Sequence, residues 1–361
     1  MFGHGNRDWS VDVLRCVSCF LVCVIHATRM SIGYDHPDAG LNPWLHNDIY
    51  AMIAAAPTVL FVMVSGIFFL SPERNVRVGR VWRKNILKMA CAYIFWCYIY
   101  TCYDIYMMDP QPDITWEFFV QQWMIQPSHL WYIPMIIGLY MICPILRPIT
   151  ATGDTKLFRY IIMLFIGGMI LWTIYNWPTH PLEGGYAQPL IDKTPMALIC
   201  QYPFWMLFGW IAYSYRPGRG FRYLIYAFGI AAAVAGILVN IHNFNTVGDL
   251  YLTAVTQKFS IFIFFKNVAL FYFIVTVFRY HKFSKVTKAI LRKWSDYTLI
   301  IYLVHFLILT ILYDNNVFYV AGMSPWIAVW VYSLLTYFIG GVAALVFHLC
   351  WDPIKKLLSK L

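Results

Sequence analysis

Charge is what this sequence has least of. Only 12% of its 361 residues are Asp, Glu, Lys or Arg, about half the share found in an ordinary soluble domain. No low-complexity linker, soluble domain or internal repeat stands out, so a single domain over residues 1–361 is expected. No small-residue cleavage site follows the first apolar run, and Arg15 lies inside that run, so it is expected to remain as a helix. There is no lipidation signature. Cysteine is present, nine in all, yet nearly absent from the acidic loops, which leaves no disulfide framework. Its place in apolar runs suits a small hydrophobe.

What the sequence has in abundance is apolar and aromatic side chains, 60% and 19%. A membrane-spanning helix needs about 20 mostly apolar residues. Ten segments meet that measure, at roughly 11–31, 49–70, 86–107, 130–147, 158–176, 196–214, 221–241, 256–279, 296–313 and 326–350. The expected fold is an all-α integral membrane protein, a polytopic bundle of about ten transmembrane helices. The loops alternate in charge. Residues 72–88 and 279–293 carry six Lys or Arg each, and 216–222 and the tail carry three each. The loops between them hold Asp35, Asp38, Asp48, Asp109, Asp113, Glu117, Glu183, Asp192 and Asp314 against the single Lys193. Short basic loops stay cytoplasmic. Both termini are therefore expected inside, which requires an even number of spans, and ten satisfies it. The net charge of +10 is accounted for by topology, and no nucleic-acid partner is expected.

The first span, "VDVLRCVSCFLVCVIHATRM" (residues 11–30), keeps Asp12, Arg15, His26 and Arg29 among apolar residues. Eleven residues of α-helix turn through about 1100°, three turns plus about 20°, so Arg15 and His26 share a face about 16 Å apart along the axis. Charge at mid-bilayer costs at least ~2.5–3.5 kcal/mol, and such groups face a bundle interior or a wet cavity. The plainer reading has Arg15 reaching the inner headgroups and His26 as a satisfied core histidine. Asp12, one turn before Arg15, is positioned to pair with it. Cys19, Cys23 and His26 also share the face, a spacing open to zinc, but no fourth ligand cluster accompanies them and no metal is expected.

The stretch "DVLRCVSCFLVCVIHA" resembles the opening helix of the membrane-bound acyltransferase 3 family, whose signature is a basic residue, ten residues, then histidine. Four further stretches resemble the family in order. They are "PTVLFVMVSGIFFL" (57–70), "RNVRVGRVWRKNILKMACAYIFW" (74–96) with its R-x-x-R pair, "HLWYIPMIIGLYMICPIL" (129–146) and "WSDYTLIIYLVHFLIL" (294–309). The resemblance implies a multi-pass cell-membrane enzyme, in a bacterium the inner membrane. The activity it implies is transfer of an acyl group, usually acetyl from acetyl-CoA, to a hydroxyl of a cell-surface or lipid-linked carbohydrate. Some family members carry an added esterase-like domain; without one, this chain is expected to act as a stand-alone O-acetyltransferase in polysaccharide modification. The rival reading is a transporter of a small polar solute, but no inverted correspondence links the two halves.

Acyl transfer needs a base for the acceptor hydroxyl and stabilisation of the oxyanion. His26 is the candidate base, or a nucleophile forming a transient acyl-histidine; the residues leave both open. Arg15 is its companion on the cytoplasmic side. Arg74, Arg77, Arg80 and Arg83, at spacing three, would form a basic helical stripe suited to the phosphates of the acyl-CoA donor. Ordinary cytoplasmic retention and lipid headgroups explain such arginines equally well; the resemblance favours the donor for Arg74 and Arg77. Lys266, expected near mid-bilayer beside Asn267, joins them as a pore-lining candidate. Tyr302 and His305, at i and i+3, and His129 with Trp131 at the start of the fourth span, are candidate contacts for the glycan or glycolipid acceptor. A structural hydrogen bond for His305, and an interfacial aromatic belt for His129 and Trp131, are the plainer alternatives.

Overall fold

A computed structural model describes residues 7–31, 45–108, 113–125, 127–175, 201–247, 259–315 and 324–358. The loop residues Asp35, Asp38, Asp109, Glu183, Asp192 and Lys193, the start of the sixth expected span, and Lys258 lie outside the described residues.

Among the described residues the structure is helical, with no strand. Among these residues nine helical segments are long and apolar enough to cross a membrane, and the chain is a polytopic, all-α membrane protein. The helices are α1 (Trp9–Ser31), α2 (Leu45–Ala54), α3 (Pro57–Phe69), α4 (Val78–Arg80), α5 (Leu87–Tyr106), α6 (Trp116–Met124) and α7 (Tyr132–Ala151). They continue with α8 (Thr155–Tyr175), α9 (Tyr202–Ser214), α10 (Arg219–Val247), α11 (Ile261–Phe278), α12 (Lys285–Asp314) and α13 (Pro325–Leu358). The sixth expected span, 196–214, corresponds to α9, of which 13 residues are described, and it is not among the nine.

The helices form two compact units, one of Met1–Gly66 with Asp154–Leu361 and one of Ile67–Gly153. In the larger unit α1 is the central element, packed against α2, α11, α12 and α13. Leu21, Val24 and Ala27 of α1 share an apolar core with Tyr50 and Ala54 of α2, Leu309 of α12, and Ala328, Val329 and Tyr332 of α13. Cys19 and Cys23 are buried against Ile301 of α12.

α1 and α12 run parallel. Arg7 reaches Asp296, Asp12 accepts from Ser295, and Arg15 donates to Thr298. Higher up, the His26 ring lies beside His305. The ends of α9 and α11 join the start of this pair: Asp8 accepts a hydrogen bond from Tyr213, and Arg279 approaches Asp8 at 3.6 Å. Four helix ends thus gather at one end of the unit, as alternating spans require.

The structure differs from the expected segments in three places. Span 49–70 is two helices, not one, broken at Ala55–Ala56. Pro57 explains the break, because it lacks an N–H and its ring clashes with the carbonyl four residues back, that of Ile53. As the first residue of α3, the same proline is well suited to begin a helix. Ala56 takes a φ of 49°, a left-handed conformation that costs a non-glycine residue about 1–2 kcal/mol. The ninth span is longer than its apolar core. α12 has 30 residues, about 45 Å, because the basic stretch from Lys285 continues the helix behind a Ser284 cap whose Oγ accepts from the Thr287 N–H at 3.1 Å. The third difference is α6, which lies in a segment expected to be loop and is capped by Thr115, whose side chain accepts from the Phe118 N–H at 3.2 Å.

α3 and α9 cross at reciprocal glycines. A Cβ at Gly66 would strike the Met206 carbonyl, and one at Gly209 would strike the Met63 backbone. Small residues allow this approach, and packing rather than water drives such helices together in lipid. The variant Gly209→Leu is expected to lose at least about 1–3 kcal/mol, by the cost of overpacking. A lower midpoint of thermal unfolding in detergent checks it, with Gly138→Leu, which has open space at its Cβ, as the tolerant control.

Candidate functional site

Arg15 and His26 come from the one uninterrupted helix α1, so their shared face survives in three dimensions. Both are partly exposed, whereas their neighbours Leu14, Cys23 and Val24 are fully buried. Arg15 donates from Nη2 to Thr298 Oγ1 at 3.2 Å. Its expected pairing with Asp12 does not occur. Arg7 takes both carboxylate oxygens of Asp12, at 2.6 and 2.7 Å, and Ser295 Oγ donates to the same carboxylate at 2.6 Å. Asp12, through that hydrogen bond, holds the Arg7 guanidinium above its ordinary value, so Arg7 stays charged. With Asp12 satisfied by Arg7, Arg15 turns to α12.

His26 lies 5.1 Å from His305 between ring centroids, tilted by 50°, with Phe306 edge-on at 5.4 Å. His305 is fully buried, and its Nδ1 lies 2.5 Å from the Tyr302 carbonyl oxygen. A carbonyl only accepts, so Nδ1 carries the proton. Tyr302 stacks obliquely on His305 at 5.5 Å. The structure therefore brings together four of the candidates, Arg15, His26, Tyr302 and His305, along the α1–α12 pair.

Lys266 belongs to the same unit but has other business. Its Nζ donates to the carbonyls of Ile53 at 3.2 Å and Ala55 at 2.6 Å, and Asn267 Nδ2 donates to that of Ala56 at 3.3 Å. These are the carbonyls that the α2–α3 break releases, Ile53 being the one Pro57 leaves without a donor. In a bilayer, irregular backbone survives only where protein or a cavity satisfies it. The geometry makes Lys266 the cap of a broken helix, a role its sequence neighbours did not reveal.

The remaining candidates belong to the smaller unit. Arg74 and Arg77 precede the helix, Arg77 being the extended N-cap of α4. Arg80 ends α4, and Arg83 lies in a π-helical turn, Val81–Ile86. The four arginines therefore do not form the single helical stripe that their spacing suggested. Arg77, Arg80 and Arg83 are exposed, while Arg74 is partly covered, with its guanidinium 4.5 Å from the Phe68 ring centroid. Arg147, missed in the sequence, anchors this segment. Its two terminal nitrogens donate to the carbonyls of Phe69 and Arg74 at 2.7 Å each, and Thr150 Oγ1 donates to that of Leu70 at 2.6 Å. A basic residue at the end of a proline-containing span is the signal that could have found it. His129 is buried in a 3₁₀ turn before α7, 4.5 Å from the Tyr100 ring. Trp131 meets Tyr132 edge-on at 6.3 Å. Among the described residues no three His, Cys, Asp or Glu gather closely enough to hold a metal ion.

A family model described as an acyltransferase domain, that of the acyltransferase 3 family, matches residues 8–347. The chain belongs to the acyltransferase 3 family. No individual curated protein and no solved structure matches it. Membership makes this chain a membrane acyltransferase rather than a solute transporter, and the α1–α12 pair holds an arginine and two histidines within a membrane-spanning unit.

The break cap is testable. In Lys266→Met the carbonyls of Ile53 and Ala55 lose their donor in apolar surroundings, and stability is expected to fall by at least about 1–3 kcal/mol. Thermal unfolding of the detergent-solubilised protein reads the loss, and an unchanged midpoint would show that the break needs no cap.

Proposed function

We propose that this membrane acyltransferase is an O-acetyltransferase that moves an acetyl group from cytosolic acetyl-CoA to a hydroxyl of a cell-surface or lipid-linked carbohydrate, with His26 as general base. The observation that carries the reading is the placement of His26: a partly exposed imidazole on the same helical face as Arg15, backed by the buried His305.

In the proposed reaction a nitrogen of His26 accepts the proton of the acceptor hydroxyl as its oxygen attacks the thioester carbonyl carbon. The new C–O bond forms and the carbonyl becomes an oxyanion. Collapse breaks the C–S bond, and the imidazolium returns the proton to the departing CoA thiolate. Histidine suits this exchange because it titrates near neutral pH and can take and return one proton in a cycle. Arg15, about 16 Å nearer the other end of α1, offers a guanidinium to the phosphates or pantetheine arm of the donor. Arg74, Arg77, Arg80 and Arg83 supply further positive charge for the phosphates, and Arg147 fixes the backbone at Arg74. Of the candidate acceptor contacts, Trp131 is partly exposed and offers a ring that a sugar can lie against, whereas Tyr302 and His129 are buried behind the surface.

The test uses purified protein with acetyl-CoA labelled in the acetyl group, with and without candidate glycolipids, reading CoA release and label transfer. In His26→Ala, turnover is expected to fall by about 10²–10⁴-fold, the usual contribution of a positioned base. Undiminished turnover would refute the role of His26. In Arg74→Ala and Arg77→Ala, CoA binding by calorimetry is expected to weaken by about tenfold each, on the scale of a charge-assisted hydrogen bond. Unchanged affinity would leave these arginines as topological determinants only.

A further inference from the structure

The contact between His26 and His305 carries more than proximity. Nδ1 of His305 is held by the Tyr302 carbonyl at 2.5 Å. In the neutral ring this leaves Nε2 as the nitrogen with the lone pair. The two rings are in contact, with centroids 5.1 Å apart and planes tilted by 50°, so rotation of the His26 side chain can bring one of its nitrogens to Nε2. Phe306, edge-on to His26 and one residue from His305, limits how far the His26 ring can turn away. Hydrogen bonds of this kind are often imperfectly aligned before substrate is bound and tighten in the loaded enzyme.

We propose that His305 is the positioning residue of His26: its Nε2 accepts the N–H of His26, so that the Tyr302 carbonyl, His305 and His26 form one hydrogen-bonded series that fixes the His26 tautomer and turns its lone-pair nitrogen to the acceptor hydroxyl. This rests on the reading of His26 as the base. The arrangement follows the logic of a base oriented by a third group, with a buried neutral imidazole where a carboxylate commonly stands. A carboxylate would bring a full negative charge into the membrane interior, where an uncompensated charge is expensive. An imidazole locked by a peptide carbonyl provides an acceptor without that charge. When His26 takes the hydroxyl proton, the positive ring keeps its bond to His305 Nε2, so the charge formed during reaction meets a prepared acceptor. The proton count is unchanged at His305, which neither gains nor loses one.

His305 is itself fully buried, so in this proposal it acts through His26 and not on the acceptor. The deciding experiment is ¹⁵N NMR on the full-length protein, labelled at histidine nitrogens and reconstituted in lipid nanodiscs, with His26 signals assigned by their loss in His26→Ala. In the wild type, His26 is expected as a single tautomer, with one protonated and one bare nitrogen. In His305→Leu the two His26 nitrogens are expected to average between tautomers, and in His305→Gln, whose side-chain oxygen can accept, the single tautomer returns. An unchanged His26 spectrum in His305→Leu overturns the proposal, and this readout requires no acceptor and no turnover. In parallel, acetyl-CoA turnover is expected to fall on the order of 10²-fold in kcat for His305→Leu, with KM for acetyl-CoA unchanged, and to recover largely in His305→Gln. Equal losses in both variants, or a change confined to KM, also overturn it. If His26→Ala is inactive while His305→Leu is fully active, the positioning role alone fails. If His26→Ala itself is active, the reading of His26 as base fails first.

Discussion

A backbone carbonyl inside a membrane has no water to turn to, and much of this structure depends on how that constraint is met. Helices meet it by themselves. At two places among the described residues where the chain departs from helix, side chains arrive from elsewhere. Lys266 and Asn267 do so at the Ala55–Ala56 break, and Arg147 with Thr150 does so at the end of α3. These cationic groups inside or at the edge of apolar helices are therefore fold elements first. The break in turn lets α2 pack on α1 at Val24 and Ala27, either side of His26.

The second organising contact is the parallel pairing of α1 and α12. Polar rungs join the two at one end, through Arg7, Asp12, Arg15, Asp296, Ser295 and Thr298. Thiol and apolar packing follows at Cys19 and Ile301, and the two histidines meet further along. A helix with several ionisable groups is kept in the bundle because its partner supplies a matching group at each level. That pairing leaves His26 packed against His305 and Phe306 yet partly exposed.

Much of the bundle was legible in the sequence. The all-α, polytopic membrane fold followed from the apolar runs, and the common face of Arg15 and His26 needed only the pitch of a helix. Contacts set by distant parts of the chain are not legible there. Pro57 announced that the Ile53 carbonyl would be released, yet Lys266, more than 200 positions later, gave no sign of being its donor. Asp12 was assigned to Arg15 because a neighbour one turn away is the shortest local choice; Arg7, outside the helix, forms a fork that no helical spacing describes. The arginines from Arg74 to Arg83 looked like a stripe because spacing three suits a helix, but the helix starts only at Val78 and passes through a π turn. The basic residues from Lys285 mark a membrane border by their charge, and charge says nothing about where a helix stops; here the helix runs through them.

The parallel pairing also makes α1 sensitive in an uneven way. Every rung depends on angular phase, and one residue inserted between Arg15 and His26 would turn everything beyond it by about 100° and lift it by 1.5 Å. Many side chains along that stretch can be exchanged for others of similar size without disturbing the phase, but none can be added or removed. The eleven-residue interval therefore works as a compass bearing as much as a distance, and it is the count of residues, more than their identity, that keeps the two histidines facing each other.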